Sequence, residues 1–92
     1  MEYEILKVSS KSVPTSVAGA IASVIQKRDF VELQAVGAGA TNQAIKSVAI
    51  ARTYLAEFNI DLTCTPEFFN VTIDDEDRSA IKLIVEKRNK KL

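Results

Sequence analysis

Between residues 30 and 58 the chain reads FVELQAVGAGATNQAIKSVAIARTYLAEF, in which an alternating apolar stretch passes through Gly37 and Gly39 into 17 residues, after Thr41, that hold neither Gly nor Pro. Alternation at residues 30–36 is the period of a half-buried strand, and the segment beyond the glycines repeats at helical spacing. A strand that turns this tightly into a helix constrains the chain to a layered αβ arrangement. Thr41 is a good N-cap, since its hydroxyl can accept a backbone N–H of the first turn. The spacing predicts a helix running to about Phe58, with Ala44, Ile45, Val48, Ala51, Leu55 and Phe58 on its core side. The opposite side holds Gln43, Lys46, Ile50, Thr53, Tyr54 and Glu57. Ile50 and Tyr54 are apolar residues on a polar face, and mark a candidate dimer interface.

The flanking segments extend the pattern. Residues 4–8 (EILKV) alternate as a short strand, followed by the polar loop of Ser9, Ser10, Lys11 and Ser12. Pro14 suits the first turn of a helix, where its missing donor costs nothing, with Ser12 as N-cap. Val17, Ile21, Val24 and Ile25 then form one apolar stripe that ends near Lys27 and Arg28, whose charges suit a helix C-terminus. A strand, helix and strand in this order form a parallel, right-handed unit. Residues 60–65 make a third strand, interrupted by Pro66 and resuming at 69–73. A hairpin loop of about five residues over the acidic run Asp74, Asp75, Glu76 and Asp77 leads to an antiparallel fourth strand at residues 79–86. The order is β-α-β-α-β-β. By alternation, Lys7, Glu32, Gln34, Thr72, Lys82 and Glu86 form a mixed polar surface on the sheet face away from the helices, without aromatic residues to stack on bases.

The 92 residues suffice for one domain, 1–92, carrying a basic C-terminal tail at about 87–92. Twelve basic and twelve acidic residues cancel, so no whole-chain field steers a polyanion to the surface. Absence of histidine and a single cysteine deprive a zinc or transition-metal site of its usual ligands, and exclude a histidine-dependent triad. No cofactor and no enzyme are expected. Cys64, on the same side of its strand as Leu62, reads as a buried, inert thiol. Without a secretory start or a run of about 20 apolar residues, the expected location is the cytoplasm, away from membranes.

Gly37 and Gly39 resemble part of a dinucleotide fingerprint, but its third glycine falls on Asn42, and the acidic residue further on would be Asp61. Two readings of the turn stay open. Backbone N–H groups at the helix start can bind a phosphate, with Thr41, Asn42, Gln43 and Lys46 as further donors. Alternatively the glycines only permit close approach of helix and sheet.

Taken together, LKVSSKSVPTSVAGAIA (6–22), VGAGATNQAIKSVAIAR (36–52), YLAEFNIDLTCTP (54–66) and RSAIKLIVE (78–86) closely resemble the stage V sporulation protein S family, over roughly residues 4–87. That family is similar in turn to Alba chromatin proteins and to the C-terminal domain of translation initiation factor three. The resemblance implies an Alba-like α+β fold, a two-layer sandwich with two helices on one face of a mixed four-stranded sheet. In Alba proteins the loop after the first strand and the segment matching VGAGATNQAIK lie on the nucleic-acid side, and the chain acts as a dimer. By that resemblance Lys11, Gly37, Gly39, Thr41, Asn42, Gln43 and Lys46 are candidate contacts to DNA or RNA, bound with low specificity. The implied function is a non-enzymatic, regulatory nucleic-acid-binding protein associated with sporulation. Alba proteins present paired lysines in the first loop and a long basic hairpin, whereas this chain has Lys11 among serines and a short hairpin with four acids. The alternative is a homodimeric protein-interaction module that binds no nucleic acid.

Overall fold

The computed structural model describes residues 3–89, so the tail residues Lys90, Lys91 and Leu92 lie outside the described part. The elements are β1 (Ile5–Val8), α1 (Pro14–Ile25), β2 (Phe30–Ala35), α2 (Ala38–Leu55), a single 3-10 turn (Ala56–Phe58), β3 (Ile60–Ile73) and β4 (Glu76–Asn89). The sheet order is β1-β2-β4-β3. β1 and β2 are parallel, and β4 runs antiparallel to both of its neighbours, β2 and β3. This is the mixed four-stranded, two-layer arrangement expected.

α1 and α2 pack on each other and on the sheet. Between the layers lie Ile21 and Ile25 of α1, Val31 and Leu33 of β2, Leu55 of α2, and Leu83 and Val85 of β4, all essentially inaccessible. Each such side chain contributes about 1.5–3 kcal/mol by leaving water. Small residues, Ala18 and Ala22 on one helix and Ala40, Ala44 and Ala51 on the other, are also buried.

The helix starts differ from expectation. Val13, not Ser12, is the N-cap of α1; the Ser12 hydroxyl instead accepts the Ser9 backbone N–H at 2.9 Å and closes the preceding loop. Lys27 and Arg28 lie beyond the last turn of α1, which ends at Ile25. α2 begins three residues before Thr41, at Ala38, with Gly37 as N-cap at φ 93°, ψ 163°. Its buried stripe is also turned toward Ser47: Ala44, Val48, Ala51 and Leu55 are buried as expected, joined by Ala40 and Ser47, while Ile45 is 49% and Phe58 50% exposed. Ser47 tolerates the core because its hydroxyl donates to the Gln43 carbonyl at 2.7 Å. Phe58 leaves the stripe because the chain tightens into the 3-10 turn after Leu55.

The hairpin is the largest correction. Pro66 does not interrupt β3, which runs unbroken for 14 residues. β3 is an edge strand, where a proline without an N–H can face outward. The loop is a two-residue turn at Asp74 and Asp75, with φ of 52° and 62°, and Ile73 pairs with Glu76. Positive φ at both central positions is the type I′ geometry that matches strand twist, and aspartate tolerates it. β2 reaches β4 only between Ile81 and Glu86. Residues 76–80 therefore pair with β3 alone, as a two-stranded arm, and the molecule with this arm measures 48 Å in its largest extent. The hairpin is long, not short, and its acids sit at the tip.

The unbroken register also changes the open sheet face. Thr72 pairs with Asp77, to whose carboxylate its hydroxyl donates at 2.9 Å, and so lies on the opposite side from Lys82, which pairs with Glu67. Glu32 is on the open face but only 3% exposed, between Ile5 and Ile84 on the adjoining strands.

Candidate nucleic-acid interface

The ends of β1, β2 and β3 point the same way, so the Ser9–Ser12 loop, the turn at Gly37 and the arm all emerge at one end of the molecule. In open sheets this end is the usual place for ligands.

Gly37 and Gly39 have separate structural tasks. Gly37 occupies a backbone region open in practice only to glycine, which lets β2 turn directly into α2. A Cβ on Gly39 would lie 3.0 Å from Cβ of Ser10, so its absence lets the first loop press against the first turn of α2. Gln43 clamps the same contact by donating from Nε2 to the Ser12 carbonyl at 2.9 Å. The loop carrying Lys11 is thereby tied to α2, and Gln43 positions that loop.

Around this contact Lys11, Asn42 and Lys46 are exposed. Thr41 donates its hydroxyl to the Gly37 carbonyl at 2.9 Å, which commits its proton but leaves oxygen lone pairs. Among the described residues no side chain caps the first N–H groups of α2. With the helix dipole they present partial positive charge, the arrangement that suits phosphate oxygens. A cavity of about 510 Å³ opens between Gly37, Thr41, Asn42 and Ile45 on one side and Ser79, Ala80 and Ile81 at the arm's base on the other. The structure thus gathers Lys11, Gly37, Gly39, Thr41, Asn42 and Gln43 at one end, whereas Lys46 stands at the middle of α2 because the helix starts at Ala38 and not at Thr41.

The other sequence signals lie elsewhere. Tyr54 is exposed near the C-terminal end of α2, whereas Ile50 is half-buried and packs against the core. Asp61 stands at the opposite end of the sheet from Gly37, and its carboxylate is filled: Arg52 Nε donates to Oδ1 at 2.7 Å, Arg88 to Oδ2 at 2.9 Å, and the Leu62 N–H to Oδ1 at 2.9 Å. Those donors, Arg52 foremost, hold its pKa well below the usual carboxylate range. It has no place in a dinucleotide site. Arg88, assigned to a basic tail, is part of β4 and of this cluster, and Lys87 also lies in the strand. Cys64 is half-buried, and burial pushes its thiol pKa up, away from reactivity. Among the described residues no cluster of His, Cys, Asp or Glu could hold a metal ion, and no helix is long and apolar enough to cross a membrane.

One feature escaped sequence reasoning. Phe69 shares the open sheet face with Glu67 and Val71, and Phe30, opposite Glu86, lies on it too, so that face does carry aromatic rings. Counting alternation through Pro66 from Thr63 would have placed Phe69 there.

The fold matches Alba from Thermoplasma volcanium with a TM-score of 0.65, covering 94% of this chain and 100% of that one at 10% sequence identity. At that identity the likeness speaks to fold alone, and it agrees with the sheet order and the paired helices. Residues 4–88, from just before β1 almost to the end of β4, match Stage V sporulation protein S as a family, and the chain belongs to it.

Proposed function

We propose that the chain is a non-enzymatic, cytoplasmic, dimeric nucleic-acid-binding protein with a regulatory role in sporulation. The observation that carries this reading is the contact of the Lys11 loop with the uncapped start of α2, made by Gly39 against Ser10 and by Gln43 on Ser12. It sets exposed Lys11 beside the uncapped helix-terminal amides, while exposed Lys46 lies at mid-helix, about 12 Å further along α2 at the 1.5 Å rise of each residue. Backbone donors and point charges grip phosphates without reading bases, so sequence specificity is low. Fluorescence anisotropy of labelled duplex DNA, single-stranded DNA and RNA tests it. Lys11→Ala with Lys46→Ala weakens binding and flattens its salt dependence; unchanged affinity rules this surface out.

A second reading, a homodimeric interaction module that binds no nucleic acid, draws on the zero net charge and the acidic arm tip. Tyr54 offers the cleaner probe of the dimer surface, because Ile50 also serves the core. Sedimentation of Tyr54→Asp yields monomers if α2 forms the interface.

A further inference from the structure

We propose that a cleft on the open sheet face, between the end of β1 and the arm, seats one unstacked base of single-stranded nucleic acid against Phe69. This rests on the nucleic-acid reading above and narrows it to a class of strand. The cleft encloses about 440 Å³, within the 300–1,000 Å³ typical of small-ligand sites. Phe69, Val71 and Ile73 form its apolar wall, and Lys7, Ser9 and Gln34 line the polar remainder. The wall exists because β3 continues through Pro66 and places these three alternate residues on one side.

Gln34 is held by its neighbour. Its Nε2 donates to Glu32 at 2.7 Å. A carboxylate only accepts, so the amide nitrogen is committed to Glu32, and Oε1 is left to accept from an exocyclic amino group. An aromatic ring provides a π-face on which any base can stack. Lys7 and the serine loop that continues to Lys11 supply donors for the phosphates flanking that base. A duplex cannot use this cleft, because its bases are stacked inside the helix and its second backbone would meet Asp74, Asp75, Glu76 and Asp77 at the arm's tip.

The chain has no tryptophan, so Phe69→Trp places a lone tryptophan in the cleft, which can be excited selectively at wavelengths where Tyr3 and Tyr54 do not absorb. Titration with an oligodeoxyadenylate is expected to quench its emission as the base stacks. Phe69→Leu keeps an apolar wall but removes the π-face, and is expected to lose roughly tenfold in single-strand affinity by anisotropy while duplex affinity stays unchanged. Circular dichroism checks the fold of Phe69→Leu, and the Trp variant carries the test independently. Absence of quenching despite binding, or an equal loss for duplex and single strand, overturns the base site. If Lys11→Ala with Lys46→Ala still weakens binding, the loop reading survives that result. A wild-type protein that binds no nucleic acid at low salt overturns both.

Discussion

At the scale of single residues, the two glycines that look alike in VGAGAT separate into different physical tasks. Alanine at Gly37 meets a φ of 93° that L-residues avoid, and is expected to cost about 1–3 kcal/mol, seen as a lowered melting temperature. Alanine at Gly39 improves helix propensity but pushes Ser10 away, moving the loop that bears Lys11. Gly39→Ala should therefore leave thermal stability nearly unchanged and weaken nucleic-acid binding several-fold. Asp61 behaves as a structural clasp. Its folded pKa lies below its unfolded value of about 3.9, so its contribution is complete above that pH and drains away as pH falls toward the folded value. Asp61→Asn should melt earlier than wild type at neutral pH, with the gap closing in acid below about pH 4. The sequence marks Asp61 only as an acid near a strand start; Arg88 is 27 positions away and reaches it through strand pairing, which no local pattern discloses.

Among the elements, both helices and all four strands could be located from periodicity, while the unbroken length of the hairpin and its two-residue turn could not. Pro66 reads as a break because proline is barred from central strands, and the edge position that makes it harmless is a property of sheet order. Asp74-Asp75 lacks the glycine that usually announces a two-residue turn, so the arm's length stayed hidden. Periodicity fixes the width of the apolar face of α2 better than its rotation, which is why Ile45 belongs to the expected stripe and yet stands exposed. The arm's acids bear on function. Asp74→Asn with Asp75→Asn preserves the left-handed turn and removes two negative charges. Duplex DNA should bind the variant more tightly at low salt, and equal affinity in anisotropy would show that the tip lies clear of the nucleic acid.

For the whole molecule, topology and family were legible because long segments resemble one family in order, whereas the candidate site was legible only as a set of residues. Its geometry depends on the loop being pulled onto α2, and its second cleft on a strand register that crosses a proline. With a net charge of zero there is no long-range field to strengthen association, so affinity must come from contacts at short range. Three lysines, Lys7, Lys11 and Lys46, are exposed at or beside the proposed surface. Counterion release from that number of contacts predicts a log-log salt slope of about two to four.

The outer margin of β3 is a row of backbone groups, 14 residues long, that no other strand among the described residues pairs. Such a margin is a template on which a further strand can grow, and then another. Pro66 removes one rung near its middle and confines any invading strand to two short stretches. Pro66→Val restores the rung, and at high concentration that variant is expected to bind thioflavin and scatter light while the parent protein stays clear. A residue that looks like a flaw in the strand is then what keeps the molecule from becoming the first layer of a fibre.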